Sequence, residues 1–577
     1  MNLIIRAGRI FTILVMMVAA TTLIFSGIPS EAAPQVQVNV KLSGEIPPGG
    51  NVYSFRISSN SRNVVYRGDA EVDNMAELFV GPTTGNRPPV KLNGPLVTGG
   101  QVLPNYEISP SGDSVVYLAD QQMNEVYELF KVSIFGGQVA KLNGPLVVGG
   151  DVDRLSFSIS PDGQRVVYLA DQEIDEVNEL FSVPINGGLV TKLNGSMVSG
   201  GNVTGFYLSP DGQVVVYKAD QDTDETFELF SVPVDGGDAV KLNGPLTSGG
   251  DVWGVDISAD GNRVVYAADQ VTDDVNEIFS VSVGGGEVTR LSGPMISGGQ
   301  VRSATISPDS SRVVYRADQL TDGTEELFSV PIIGGEVTKL SKPMVDGGYI
   351  IDFTISSDSA FVIYTADQDT EGNRELFSVP IGGGDSLKLN DSLGYNGSVL
   401  DYSISPDASR VIYRAQKNGS ERYELYSVPI NGGTVISLSG AMIYGGFIWQ
   451  FSISPDSSRV VYNADQETVE VRELYSVPIA GGQVTQLNEP LVSNGRIEEF
   501  RFSPDSQRVI YRADQETDER YELFATFDDD LLTPKPTMTL PPTATTTPTP
   551  TVTITATPTF TPEVPGSKSY IPVSIKP

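Results

Sequence analysis

The sequence predicts an all-β protein: a single β-propeller of about ten four-stranded blades, closed by pairing the N-terminal strand with the last blade. Three observations predict it. A segment reading roughly Val-Val-Tyr-x-Ala-Asp-Gln recurs ten times, with its tyrosine at Tyr66, Tyr117, Tyr168, Tyr217, Tyr266, Tyr315, Tyr364, Tyr413, Tyr462 and Tyr511. Two steps of 51 residues are followed by seven of 49, a fixed period that marks one supersecondary unit copied many times. Each copy divides into four short β-prone runs without helical periodicity. The repeat also starts with a lone fourth run and ends one run short.

The copy at residues 155–201 shows the elements in order. Ser156-Phe157-Ser158-Ile159-Ser160 alternates apolar and small polar residues, as a strand does. Pro161-Asp162-Gly163 is a turn in which proline presets φ. Arg165 to Ala170 is a second strand, rich in β-branched and aromatic residues. A polar loop of about eight residues leads to a third strand, Glu179 to Ile185. Asn186-Gly187-Gly188 is a hairpin turn needing positive φ, and Leu189 to Leu193 is the fourth strand. The loop from Asn194 to Gly201 opens the next copy.

The first turn carries Gly112, Gly163, Gly212 and Gly261 in four copies, but serine in five others and Ala408 in one. Such variety predicts a position of ordinary φ, since a strict left-handed site favours glycine. Val36 to Ser43 matches a fourth strand, and the last copy stops after its third strand at Glu522-Leu523-Phe524-Ala525. Pairing these two pieces removes the exposed sheet edges and gives one ring over residues 36–527.

The motif resembles the TolB-like, or WD40-like, propeller repeats. Ser160-Pro161-Asp162-Gly163 and Ser209-Pro210-Asp211-Gly212 carry the resemblance, with Ser307-Pro308-Asp309, Ser405-Pro406-Asp407, Ser454-Pro455-Asp456 and Ser503-Pro504-Asp505 close to them. It implies the fold and leaves function open, because such repeats are binding platforms in unrelated proteins.

In a four-strand meander the two tight turns share one face, and the second-to-third and blade-to-blade loops share the other. Long loops on one rim are where a propeller is expected to bind. The second-to-third loops are also acidic. Counted from the first acid, positions 1, 3, 5 and 9 are Asp220, Asp222, Asp224 and Glu228 in the fourth copy. They are Asp367, Asp369, Glu371 and Glu375 in the seventh, with Gly372 at position 6, and Asp171, Glu173, Asp175 and Glu179 in the third. Alternating acids in one tight loop suit a hard divalent cation. The pattern looks like the calcium loops of integrin α-subunit propellers. It makes Asp220, Asp222, Asp224, Glu228, Asp367, Asp369, Glu371, Glu375, Asp171 and Asp175 the metal candidates, with Ca2+ as the ion. The alternative is structural: position 1 caps its turn, position 9 pairs with a neighbouring blade, and the rest is solvated rim. Trp253 and Trp449 lie by the same rim, where they fill space between blades or stack on a sugar or partner side chain.

The chain has no cysteine and no histidine, which excludes disulfides, thiol or Ser-His-Asp nucleophiles and ordinary zinc or haem sites. Its net charge of -34 disfavours nucleic acid and anionic membranes. Residues 1–32 read as a secretion signal, with Arg6 and Arg9 before an apolar run from Ile10 to Ile28, and an uncleaved anchor is the alternative. Residues 528–566 form a Pro/Thr-rich linker or stalk, and 567–577 a short tail. The expected molecule is a secreted or cell-surface monomer. It is a non-catalytic binding propeller that recognises a protein, glycan or cation, and not an enzyme, because the acids are in register and no asymmetric constellation stands out. The alternatives are a carboxylate-dependent glycosidase or lyase and a structural or adhesion component.

Overall fold

The computed structural model describes residues 38–420 and 422–527, so the expectations for 1–32, 528–566 and 567–577 lie outside the described residues. The described chain folds into ten four-stranded antiparallel sheets. Nine are built from four consecutive strands, such as Val203–Leu208, Val214–Ala219, Glu228–Pro233 and Val240–Lys241 in the fourth blade. The tenth takes three strands from the C-terminal end (Ile497–Phe502, Val509–Ala513 and Glu522–Phe527) and its fourth from Val38–Lys41. Val38 lies opposite Phe527 and Lys41 opposite Phe524. Beyond the ladder, the Leu42 N–H donates to the Leu523 carbonyl at 2.7 Å. The ring closes as predicted.

Second and third strands lie inside each sheet with both faces covered, so they read as apolar runs and not as an alternation. Val215, Val216 and Tyr217 are fully buried, as are their counterparts in other blades. Each repeat tyrosine stacks on the third-strand ring opposite it, for example Tyr217 on Phe230 at 5.3 Å between centroids. Where the Asp-Gln pair is present its hydroxyl donates to the glutamine, at 3.0 Å for Tyr217 and Gln221; in the first copy, which has Ala70 there, Tyr66 donates to the Ser43 carbonyl at 2.9 Å. Burial pushes the Tyr217 hydroxyl up to about 12, so it remains a donor at neutral pH. The cores lie between blades: Val216, Leu229 and Leu242 of the fourth blade pack with Val252, Tyr266 and Phe279 of the fifth. Burying each large side chain contributes about 1.5–3 kcal/mol, and the share that comes from the neighbouring blade is not available to a blade on its own.

Two polar devices add to this. Second-strand side chains reach the next blade's first strand: Arg67 Nε donates to the Val102 carbonyl at 2.6 Å, and Asn463 to the Ile497 carbonyl at 3.1 Å. The other device corrects an expectation about the first turn. Its variable residue is left-handed in every copy, at φ 61° for Ser61, 70° for Gly163 and 57° for Ala408. A non-glycine residue there costs about 1–2 kcal/mol. Serine offsets this because its hydroxyl accepts an N–H from the preceding blade's turn. Asp309 N–H binds Ser359 Oγ at 3.0 Å, and Asp505 N–H binds Ser61 Oγ at 2.9 Å across the ring closure. The tight-turn face is therefore stitched blade to blade.

Candidate functional site

On the opposite face, the second-to-third loop of each blade is bolted to the blade-to-blade loop before it. The position 1 aspartate does this with both oxygens. Asp220 accepts from the Asn202 N–H at 2.6 Å and from the Glu225 N–H at 3.1 Å. Asp367 accepts from Tyr349 at 2.7 Å and Gly372 at 3.5 Å, and Asp171 accepts from Asp151 and Glu176 in the same way. Closing the loop this way holds position 6 left-handed, at φ 60° for Glu225 and 76° for Gly372.

The other acids have separate tasks. Asp222 and Glu228 both bind the ammonium of Lys241, at 2.7 and 2.6 Å. Asp369 and Glu375 share Lys388. In the tenth blade Glu516 and Glu522 share Lys41 at 3.0 and 2.7 Å. The position 9 glutamate thus pairs within its own blade and not with a neighbour. Position 5 packs against the first glycine of the Gly-Gly pair: a Cβ on Gly200 would fall 2.5 Å from Asp224, and Asp175 and Glu371 lie likewise against Gly149 and Gly347. So the ten candidate ligands are divided among capping N–H groups, clamping a lysine and packing on glycine. Among the described residues no group of three acidic side chains could hold a metal ion. A lysine ammonium stands where a cation would bridge positions 3 and 9, and the donor set does not fit calcium.

Burial pulls the Lys41 ammonium down, but its bonds to Glu522 and Glu516 outweigh this and hold it above its ordinary value. The Glu522 side chain is more deeply buried, 1% exposed against 18% for Lys41. Burial therefore pushes its carboxyl up, against the pull of Lys41.

Two blades depart from the clamp in a correlated way. The fourth-strand cation is replaced by Ser437 in the eighth blade and by Gln486 in the ninth. In the same two blades the third-strand phenylalanine becomes Tyr426 and Tyr475. Their hydroxyls donate to Glu424 at 2.5 Å and to Glu473 at 2.9 Å. A phenol thus takes over from the missing ammonium, joined in the ninth blade by Gln486, whose Nε2 donates to Glu473 at 2.7 Å; this compensation was readable in the sequence and missed there.

The eighth-blade loop departs further. Gln416 replaces the capping aspartate and pairs in the strand ladder opposite Ser398. The turn is remade by Asn418, at φ 55°, whose N–H donates to the Leu393 carbonyl at 2.7 Å. A cavity of about 470 Å³ opens beside it, lined by Lys417, Gly419, Ser420, Arg422, Glu424, Tyr444 and Gly445. Lys417 sits over the Tyr426 ring at 4.5 Å and Arg422 over Tyr444 at 5.5 Å.

Trp253 and Trp449 do not fill space between blades; they are 60% and 44% exposed. Each is the bulged residue where the first strand slips register, between Val252 and Gly254 and between Ile448 and Gln450. A bulge turns its extra side chain away from the sheet. Tyr53 occupies the same place in the first blade and is also exposed. Charges that break the repeat lie on first strands. Arg56, Glu107 and Arg501 line a second cavity, of about 400 Å³, toward the tight-turn face. Burial pushes the Glu107 carboxyl up, against the Ile159 N–H and Arg56. The acids are therefore not all in register.

These features define the class: a ten-bladed β-propeller whose long-loop face carries exposed rings on a rigid acidic rim. No protein-family model and no curated protein matches the chain. Solved structures similar to it include a TolB of Agrobacterium tumefaciens (19% identity, 41% of this chain and 79% of that one, TM-score 0.27). An oligogalacturonate lyase of Vibrio parahaemolyticus is similar at 16% identity, over 66% of this chain and 98% of that one, with a TM-score of 0.32. Dipeptidyl peptidase 4 of Porphyromonas gingivalis is similar at 10% identity, over 82% and 65% of the two chains, with a TM-score of 0.44. These likenesses concern the fold. They correct one expectation: two of these three structures are enzymes, so the propeller does not mark the chain as a non-enzyme.

Proposed function

We propose that this chain is an extracytoplasmic recognition propeller that engages its ligand through the long-loop face. One observation carries the reading. Among the described residues, seven aromatic side chains are exposed, and six of them (Tyr53, Trp253, Tyr349, Tyr395, Tyr444 and Trp449) lie on the blade-to-blade loops or first-strand starts of that face. Large rings left in water on a rigid rim mark a contact surface. Phe135, on a third-to-fourth turn, is the exception. The apolar N-terminal run and the Pro/Thr-rich segment support presentation outside the cytoplasm. The ligand classes that suit the face are proteins and glycans of the cell envelope or its surroundings.

The test is retention of envelope and exopolymer fractions by the full chain, compared with Trp253→Ala, Tyr349→Ala and Trp449→Ala together. Loss in the triple variant but not in Phe135→Ala is expected. Retention unaffected by the three substitutions removes the long-loop face from the reading.

A further inference from the structure

Resting on that reading, we propose that the eighth-blade sector of the long-loop face is a binding site for a carboxylate-bearing polysaccharide. The first ground is a double departure from the repeat. One position at the tip of each blade-to-blade loop holds Ser199, Ser248, Ser297 and Ser493 in four copies and Pro, Thr, Val or Asp in four more. It holds tyrosine twice, in consecutive loops: Tyr395 and Tyr444, 82% and 85% exposed. These loops flank the eighth blade's second-to-third loop. Asn418 binds the Leu393 carbonyl on one side, and Arg422 lies over Tyr444 on the other. Two rings in open water thus stand on either side of the one loop that lost its capping aspartate.

The second ground is charge. The loop at 220–227 carries four acids and no cation, whereas the loop at 416–423 carries Lys417 and Arg422 against one acid. A protein of net charge -34 repels a polyanion over most of its rim. Here it presents two cations at a cavity of about 470 Å³, within the range that holds a small ligand unit. Glu424 lines the same cavity, but its carboxylate is bound by the Tyr426 hydroxyl at 2.5 Å, under the Lys417 ammonium.

The third ground is rigidity. Trp449 is fixed from two sides: its ring lies 5.0 Å from Phe447 and carries Arg472 at 3.7 Å, while Arg414 donates to its carbonyl at 2.7 Å. Preorganised rings bind at low entropic cost. Flat exposed rings suit the C–H faces of sugar units, and guanidinium and ammonium groups suit their carboxylates. An acidic peptide would meet the cations but would leave the two tyrosine rings without a matching surface.

The experiment measures binding of full-length protein to immobilised alginate, carboxyl-reduced alginate and poly-L-glutamate, at low and physiological salt. Wild type is expected to bind alginate, weaken with salt, and bind the reduced polymer and the polypeptide at least tenfold more weakly. Tyr395→Ala with Tyr444→Ala, and Lys417→Gln with Arg422→Gln, each lower alginate affinity tenfold or more, with thermal unfolding unchanged because all four sites are exposed or at the cavity. No binding to alginate, equal binding of either control polymer, or wild-type binding by both double variants overturns the proposal. If alginate binding survives both double variants but is lost in Trp253→Ala with Tyr349→Ala, this sector is wrong while the long-loop reading stands. If wild type retains no envelope material as well, that reading falls too.

Discussion

Replacing Lys41 by methionine tests how the ring is sealed. Lys41 belongs to the strand that completes the tenth blade and joins Glu522 at 2.7 Å and Glu516 at 3.0 Å. Methionine keeps the stem and removes the charge, leaving a carboxylate that is only 1% exposed without its cation. Breaking a buried pair from one side costs about 3–5 kcal/mol, and the lower end applies because Lys41 keeps some contact with water. Unfolding entropy of about 2.1 cal/mol/K per residue, over a ring of about 490 residues, is about 1 kcal/mol/K. The midpoint of thermal unfolding at pH 7 should therefore fall by about 3 °C, as read by near-ultraviolet circular dichroism. The sign with pH follows from Glu522. Its folded carboxyl already titrates above its unfolded value, and losing Lys41 raises it further. The folded state then holds a proton that the unfolded chain has released, so the variant loses stability as pH rises through and above the ordinary carboxylate range. At pH 4 the deficit against wild type should shrink to about 1 °C. Adding Glu522→Gln should recover most of the loss at pH 7. An unchanged midpoint at pH 7, or the same deficit at both pH values, refutes the reasoning.

Ser359→Ala removes the acceptor for the Asp309 N–H while keeping the left-handed residue non-glycine, and should destabilise by about 1 kcal/mol in denaturant titration. Ser359→Gly loses the same bond but relieves the backbone, so it should lie nearer wild type than alanine does. Tyr426→Phe strips Glu424 of its donor and should cost about 1–2 kcal/mol, whereas Tyr426→Phe with Ser437→Lys rebuilds the clamp of the other blades and should restore most of it. Millimolar calcium should leave the unfolding midpoint within 1 °C, since Lys241 already bridges Asp222 and Glu228; a rise of several degrees would reinstate the loops as metal sites.

The blades and their closure were legible because they follow from period and pattern. Val-Val-Tyr runs can only lie inside a sheet, and an orphan fourth strand can only pair with an unfinished blade. Acid spacing was legible as well, but its meaning was not. Glu228 and Lys241 are thirteen residues apart, and only the hairpin between them shows that the lysine sits between two carboxylates. The matched exchange of lysine for Ser437 or Gln486 and of phenylalanine for Tyr426 or Tyr475 was the signal that would have revealed it. The serines of the first turn misled because their compensating bond crosses to another blade about fifty residues away. Trp253 and Trp449 misled because a single-residue slip of register, invisible in the pattern, turned them outward.

The order in which the ring is made also matters. Val38–Lys41 is the first part of the described structure to leave the ribosome, and Glu522–Phe527 is the last. Throughout synthesis and any vectorial export, the opening segment waits for a partner that does not yet exist, and every intermediate is an arc with two bare ends. Joining those ends costs loop-closure entropy that grows only as the logarithm of the span. The delay is therefore a hazard of exposure more than of energetics. A holding chaperone that shields Val38 to Leu42 until Phe527 appears would be worth more to this chain than one that acts on any middle blade.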